Sequence, residues 1–291
     1  MNLIIFGLTS ALLSSIGIVI EKKVLNRSHS MELSSSLALV NLLLSLPLFL
    51  FIDRTHLTFQ SLALVYLVSL IASIAFLLTA RSIRHMELSA ASPLLSGGAG
   101  LSAVLAFFFL GERLSLAQIG GLVLAICGTY VLETERHQKL FDPFRKLFAS
   151  KYARYIAISL SLYGISSLLD RMILSRYSLL PFEYIAIVHL FIAANFFVAT
   201  HIFGGGIRSV VQEFKDVGWL IIPLALITVT QRIAYAETVR VAYLGIASAI
   251  KRLSGLFTTI IGGELFHESH LVRKTIAASI VVAGSILVVL S

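Results

Sequence analysis

The sequence predicts an all-α membrane protein in which ten transmembrane helices form two inverted five-helix repeats. Composition gives the first reason, because 57% of the 291 residues are hydrophobic and only 13% are charged. The mean hydropathy is +0.93. A soluble domain needs a largely polar surface, which such a chain cannot supply. The second reason is that the two halves of the chain resemble each other.

The apolar runs give the helix count. A helix that crosses the hydrocarbon core needs about 20 mostly apolar residues, and about ten runs meet that criterion. They cover residues 3–20, 33–52, 62–80, 88–110, 117–132, 155–174, 182–203, 219–236, 244–266 and 275–290. The first run is a retained span and not a secretory signal, because no Lys or Arg precedes it.

The longest connection divides the chain. Residues 133–154 carry six cations among aromatic and aliphatic side chains. That pattern suits either a linker lying along a lipid surface or a solvated loop. We therefore assign residues 1–135 to a first repeat, 136–154 to a cationic linker and 155–291 to a second repeat.

The two halves align without gaps over their later spans. When residue 80 is set against residue 236, the alignment also pairs Arg84 with Arg240, Glu112 with Glu268 and Gly128 with Gly284. Five spans per half is an odd number, so the second copy must be inverted relative to the first. Inverted repeats with a site at their interface are the architecture of many secondary transporters.

Loop charges predict the orientation in the membrane. The loops after the odd-numbered spans hold about fifteen Lys and Arg residues, against about four in the other loops. Cytoplasmic loops carry the excess of cations, so both termini are predicted to lie outside the cytoplasm. The short loops favour a prokaryotic inner membrane.

The ninth span contains the strongest candidate site. Lys251 and Arg252 interrupt an apolar run, and each cation near the middle of a span costs about 3 kcal/mol on insertion scales. Such residues normally face a bundle interior or a wet cavity. The pair is either a site for an anion or a structural partner of a carboxylate elsewhere in the bundle.

The eighth span adds a polar cluster in the run TVTQRIAY. Gln231, Arg232 and Tyr235 belong to it, and Tyr235 lies one turn after Gln231. This cluster either lines the same cavity as Lys251 or pairs locally, since Glu237 is close enough in sequence to neutralise Arg232 or Arg240.

Two acid–base neighbours end the first and sixth spans. Glu21 precedes Lys22, and Asp170 precedes Arg171. Such neighbours either compensate each other at a helix end or form gate pairs that open on one membrane face and close on the other.

Other polar or small residues lie inside predicted spans. Asn41 and His189 occupy equivalent positions and either bond between helices or, for His189, carry a proton. Ser96 opens a small-residue run that is either a helix break beside the substrate or a packing surface. The small residues of the fifth and tenth spans are packing stripes: Gly120, Gly121, Ala125, Gly128, Ala277, Ala278, Ala283 and Gly284.

Several chemistries are not expected. Residues 267–270 (HESH) hold too few ligands for a complete metal shell, and no nucleophile, phosphate-loop or dinucleotide motif is present. We expect no catalytic residue, no metal, no cofactor and no nucleic-acid partner. The expected partners are a small-molecule substrate, the bilayer, a proton or counter-solute as coupling species, and at most a second copy of the chain.

Besides the five-plus-five repeat, two motifs stand out: FLGE at 109–112, followed by Gly120 and Gly128, and GGELFHE at 262–268, followed by Gly284. With these features the chain resembles the drug/metabolite transporter superfamily in its ten-span EamA-like branch. The run SAIKRLSG is also similar to the ninth-span Lys-Arg pair of sugar-phosphate and nucleotide-sugar transporters. The resemblance implies that Lys251 and Arg252 bind the phosphate of an anionic substrate. It also implies cytoplasmic termini, opposite to the loop charges.

The sequence therefore predicts a secondary transporter working by alternating access. Its substrate is predicted to be a phosphorylated sugar, a nucleotide or another organic anion. The alternative is an exporter of amino acids or similar small metabolites, which needs only one cation for a carboxylate. A membrane-embedded enzyme acting on lipid phosphates is a third hypothesis. Such an enzyme needs acids or histidines at catalytic spacing, and the sequence does not show them.

Overall fold

A computed structural model gives the arrangement of the chain. It describes residues 2–53, 57–88, 91, 95, 108, 115–133, 150–177, 179–241, 244–268 and 270–290. Most of the predicted fourth span and of the linker therefore lies outside the described residues. Within the described part the secondary structure is helical without strands, which confirms an all-α protein.

Nine α-helices fall within the described part. They are α1 (Asn2–Leu25), α2 (Ser30–Ser45), α3 (Phe59–His85), α4 (Leu116–Glu133), α5 (Lys151–Arg176), α6 (Pro181–Phe203), α7 (Gly206–Val241), α8 (Leu244–Leu265) and α9 (Leu271–Leu290). They correspond to nine of the ten predicted spans. The helix α8 is the predicted ninth span, which carries Lys251.

Six of these helices are long and apolar enough to cross a membrane. The qualifying segments are Ile5–Leu25, Ser30–Phe51, Phe59–His85, Lys151–Arg176, Pro181–Phe203 and Gly206–Arg240, with Leu253–Leu265 as a shorter apolar helix. Large apolar side chains on the outer surface are widely exposed, as lipid contact requires; Trp219 is 63% exposed and Phe203 79%. The protein is a multi-pass integral membrane protein.

The largest departure from the predicted spans is in α7. The apolar run predicts residues 219–236, but the helix begins at Gly206 and ends at Val241. The first turns of this helix are polar. The Gln212 side-chain amide donates to the Asp216 carboxylate one turn later at 3.1 Å, a pairing that supports the helix. Hydropathy measures only the part of a helix inside the lipid. Arg208 and Lys215 are among the cations predicted to lie in the loops after odd-numbered spans. In the structure they lie on this helix.

The α-helix α2 is shorter than the span predicted from the sequence. The predicted span runs to residue 52, but the α-helix stops at Ser45 and continues as a 3-10 helix, Leu46–Phe51. Pro47 explains the change, because proline has no N–H to donate and its ring clashes with the preceding turn.

The helices pack so that the two halves of the chain interleave. Helix α1 lies against α7 and α8, α2 lies against α6 and α7, and α3 lies against α5 and α6. Every one of these contacts joins residues 1–135 to residues 155–291. The centre of the bundle is therefore built by both predicted repeats, whose boundaries stay a prediction.

Helices α4 and α9 pack against each other at close range. A Cβ atom added at Gly128 would lie 2.7 Å from the backbone N of Val281 and 2.9 Å from the backbone O of Ala277. Real Cβ atoms do not approach backbone atoms so closely, so this position needs glycine. The predicted packing stripe accordingly brings α4 against α9 at Gly128.

We expect Gly128→Ala to destabilise this pair. The added methyl meets backbone atoms that cannot move aside, and overpacking of this kind typically costs about 1–3 kcal/mol. The thermal unfolding midpoint of the detergent-purified protein measures the effect. Gly120→Ala is the matched control, because its Cβ would meet only a Leu287 methyl at 3.9 Å. Equal midpoints for the two variants would contradict the close approach.

Candidate functional site

A cavity of about 300 Å³ lies at the centre of the bundle. Side chains of α1, α2 and α3 line it from one half, and side chains of α5, α6, α7 and α8 line it from the other. Seven of the predicted site residues lie on its wall: Glu21, Asn41, Asp170, Gln231, Arg232, Tyr235 and Lys251. The structure thus brings together residues that lie far apart in the sequence.

Lys251 and Tyr235 form a cation–π contact at this wall. The Lys251 ammonium lies 4.1 Å from the centroid of the Tyr235 ring. An ammonium over the face of an aromatic ring is attracted by the ring quadrupole, more strongly where water is excluded. The contact holds the ammonium at the cavity, where the ring also limits how it can move.

Asp170 faces the same part of the cavity as two cations. Its carboxylate accepts a hydrogen bond from the Tyr184 hydroxyl. It also lies within electrostatic range of Arg232 and Lys251. These four residues come from α5, α6, α7 and α8, so this cationic part of the cavity is built entirely by the second half of the chain.

Gln231 ties the cavity wall to the first half. Its side-chain amide donates to the Ser10 hydroxyl of α1 at 3.0 Å, and both groups are buried. The next residue, Arg232, lies on the cavity wall as well. One turn of α7 therefore both packs against α1 and supplies a cation.

Glu21 and Asn41 supply oxygen atoms to the other half of the wall. Their side chains are 7% and 6% exposed. Within the described part of the chain, Oε1 of Glu21 and Oδ1 of Asn41 have no hydrogen-bond partner. Buried polar atoms normally have one, so these two oxygens are candidates for binding a group from outside the described part of the chain.

Lys22 turns away from Glu21 and binds the end of α3. Its ammonium donates to the backbone O of Ile83 at 2.6 Å and of Met86 at 2.8 Å, with Arg84 O at 3.4 Å. The last carbonyls of a helix have no partner inside the helix, and a cation there is favourable. Lys22 therefore caps α3 instead of compensating Glu21.

Arg171 caps the end of α7 in the same way. Its guanidinium donates to the backbone O of Val239 and, at 2.8 Å, to that of Arg240. Arg84 and Arg240 are the residues that the repeat alignment pairs. Each predicted gate cation thus lies on the end of an equivalent helix, while its acidic neighbour lies on the cavity wall.

The comparisons with known proteins agree with this architecture. Residues 1–134 match the EamA-like transporter family. One crystal structure of a protein superimposes with a TM-score of 0.72, covering 99% of this chain and 96% of that chain, at 13% sequence identity. That likeness shows the fold alone. No curated protein sequence matches the chain.

The match covers residues 1–134, which is less than half of the chain, so it shows what this part resembles. The family that this part resembles is described as one of transporters.

The two halves of the chain also meet at one end of the bundle. We call it the Lys22 end, and it comprises Lys22, residues 83–88, Glu268 and Lys274. Lys274 forms an ion pair with Glu87 and lies 3.9 Å from Glu268. Glu268 also accepts a hydrogen bond from the backbone N–H of Leu88. We call these contacts the end clamp, because they join the two halves.

Of the remaining predicted site residues, the structure describes His189, which does not line the cavity. His189 is 1% exposed, and its Nδ1 lies 2.7 Å from the Ser45 hydroxyl, so it joins α6 to α2 behind the wall. Asn195, two turns later, donates to Ser69 at 3.1 Å. Ser96 lies outside the described residues, and so does the side chain of Arg252. Glu237 pairs with the exposed Arg240 at 3.7 Å and not with Arg232.

Sequence reasoning missed several residues of the site. Tyr163 and Tyr184 line the cavity, and Glu87 and Lys274 form the end clamp. A tyrosine in an apolar helix gives no signal of which way it faces. Glu87 and Lys274 lie 187 positions apart, so only the packing of the two halves could pair them.

We expect Lys22→Met to destabilise the bundle. Methionine is about as long as lysine but donates no hydrogen bond, so the carbonyls of Ile83 and Met86 lose their donor, at a cost of about 1–3 kcal/mol. Unfolding by SDS in mixed micelles measures the free energy.

Lys23→Met is the control for this substitution. The neighbouring Lys23 is exposed, with its ammonium 5.9 Å from the Trp219 ring. Its loss is expected to change stability by less than about 0.5 kcal/mol. Similar losses for both variants would mean that the cap contributes nothing beyond a general charge effect.

Proposed function

We propose that the protein is a secondary transporter that carries a small metabolite through the central cavity by alternating access. The observation that carries the proposal is the cavity itself, whose wall collects Arg232 and Lys251 from one half and Glu21 and Asn41 from the other. A site at the interface of two halves is accessible from alternate sides when the halves rock around it.

The cations assign an anionic group to the substrate. Arg232 offers a planar fork of donors, and Lys251 offers a point charge held by Tyr235. Both side chains are half-buried on the wall, where the low dielectric strengthens a charge-assisted hydrogen bond. A carboxylate or phosphate matches this pair of donors.

The size of the cavity favours a small substrate. About 300 Å³ is at the lower end of the range for ligand pockets. A phosphorylated sugar or an amino acid suits that volume better than a nucleotide sugar. The second candidate function, export of amino acids or similar metabolites, is supported by Asp170, which offsets one of the two cations and leaves one for a carboxylate.

The end clamp supports a cavity closed at the Lys22 end. Glu87 and Leu88 belong to the first half, whereas Glu268 and Lys274 belong to the second, so their contacts hold the two halves together on this side. Alternating access requires such contacts to break when the substrate enters from that side.

We expect Arg232→Gln and Lys251→Met to abolish stabilisation by anionic ligands. The assay is a thermal-shift screen of purified protein against sugar phosphates, nucleotides and amino acids. A ligand at a hundredfold excess over its Kd stabilises the native state by about 2.7 kcal/mol, and that shift should disappear in both variants.

Arg240→Gln is the matched control for Arg232→Gln. It removes an arginine from the same helix at an exposed position outside the cavity, so ligand shifts should equal those of the wild type. Ligands that shift all four proteins alike would overturn the anion site.

We expect Lys274→Gln to open the Lys22 end. The reporter is Ser34→Cys in a Cys127→Ser background, because Ser34 lines the cavity one turn into α2 and is 1% exposed. Loss of a clamp worth about 1.4 kcal/mol raises the population of the open state about tenfold. The rate at which a membrane-impermeant maleimide labels the introduced thiol in vesicles should rise in proportion.

Lys274→Arg is the control, because arginine keeps the charge that pairs with Glu87. Its labelling rate should remain at the value of the reporter protein. Equal rates for Lys274→Gln and the reporter protein would show that the clamp does not close this end.

A further inference from the structure

The acceptor oxygens on the α1–α2 side of the cavity have no hydrogen-bond partner in the described chain. Oε1 of Glu21 and Oδ1 of Asn41 are both buried and both belong to cavity-lining residues. They come from adjacent helices of the same half. Neither position is part of the anion site, which the second half builds.

No cation of the described chain is committed to Glu21. Its sequence neighbour Lys22 bonds to the carbonyls that end α3. Arg232 and Lys251 both lie within electrostatic range of Asp170, which offsets one of the two positive charges. A buried carboxylate without a cation is costly, since its lost hydration is not replaced. Such an acid either takes up a proton or binds a cationic group that enters the cavity.

Glu213 shows that burial alone does not make a site. Its side chain is 5% exposed, and its Oε1 also has no hydrogen-bond partner in the described chain. It lies on the polar first turns of α7, away from the cavity. Glu21 differs from it in facing a space of ligand size together with a second oxygen.

The cavity wall thus combines two kinds of group. The second half of the chain contributes the cations Arg232 and Lys251, and the first half contributes the oxygen acceptors of Glu21 and Asn41. We propose that Glu21 and Asn41 bind a primary ammonium group of the transported molecule. This inference rests on the proposed function, and it makes the substrate a small zwitterion whose anionic group meets Arg232 and Lys251.

An ammonium group matches these acceptors in charge and in number of bonds. It has three N–H donors and no acceptor, so one donor reaches the carboxylate and another reaches the amide oxygen. Hydrogen bonds to a charged partner contribute about 1.5–3 kcal/mol, which corresponds to a tenfold to hundredfold change in Kd.

Three pairs of probes test the ammonium site. They are L-leucine with 4-methylpentanoate, L-phenylalanine with 3-phenylpropanoate, and phosphoethanolamine with ethyl phosphate. Each pair shares its anionic group and differs by the amine. The Kd of each is measured by thermal shift on the full chain in detergent, for the wild type, Glu21→Gln, Asn41→Leu and the matched control Glu213→Gln.

We expect the amine-bearing member of at least one pair to bind the wild type about tenfold or more tightly than its partner. Glu21→Gln and Asn41→Leu should reduce that ratio towards one by weakening the amine-bearing member alone. Glu213→Gln should leave the ratio unchanged. Both members of a pair are measured on the same variant. A general loss of stability therefore affects both Kd values and does not change their ratio.

Other results overturn the inference. These are a ratio near one for all three pairs in the wild type, a ratio that survives both cavity variants, and stabilisation by sodium chloride over potassium chloride with no effect of the amine. If the amine-free anions still bind and Arg232→Gln still abolishes their binding, the ammonium site fails while the proposed function stands. If no probe binds any of the proteins, both fail.

Discussion

Unpaired carbonyls at helix ends are the constraint around which this bundle is arranged. In a membrane protein these groups need donors from the chain, because little water is available to supply them. Lys22 meets this need at the end of α3, and Arg171 meets it at the end of α7. Each cap joins two helices of the same half, α1 to α3 and α5 to α7.

The caps also fix where the neighbouring acids lie. Successive residues on a helix differ in direction by about 100°, so a base that bonds to one neighbouring helix directs the preceding acid elsewhere. With Lys22 on α3 and Arg171 on α7, Glu21 and Asp170 both face the cavity. The acid and the base of each neighbouring pair therefore have different roles. The base fastens a helix end, and the acid supplies charge to the wall.

The sequence predicted the nine described helices and seven residues of the cavity wall, and it failed where tertiary packing decides. Apolar length found α8 and its Lys251, but it cut α7 short because polar turns outside the lipid have no hydropathy signal. Placing Lys22 needed the position of α3. The same holds for His189, whose place in an apolar span leaves a bond between helices and a proton site both open, and whose observed partner is Ser45 of α2. Spacing along one helix shows which residues share a face but not what that face meets.

Charge balance links the cavity to the substrate that we propose. Among the described wall residues, two carry formal positive charge, Arg232 and Lys251, and two carry negative charge, Glu21 and Asp170. A cavity that is neutral overall can lose its water and change its accessible side without burying a net charge, whose cost in a low dielectric is several kcal/mol. A zwitterion preserves that neutrality when it binds, whereas a simple anion does not. Under the proposed alternating access, the substrate-free and substrate-bound forms would then face similar electrostatic barriers to crossing the membrane.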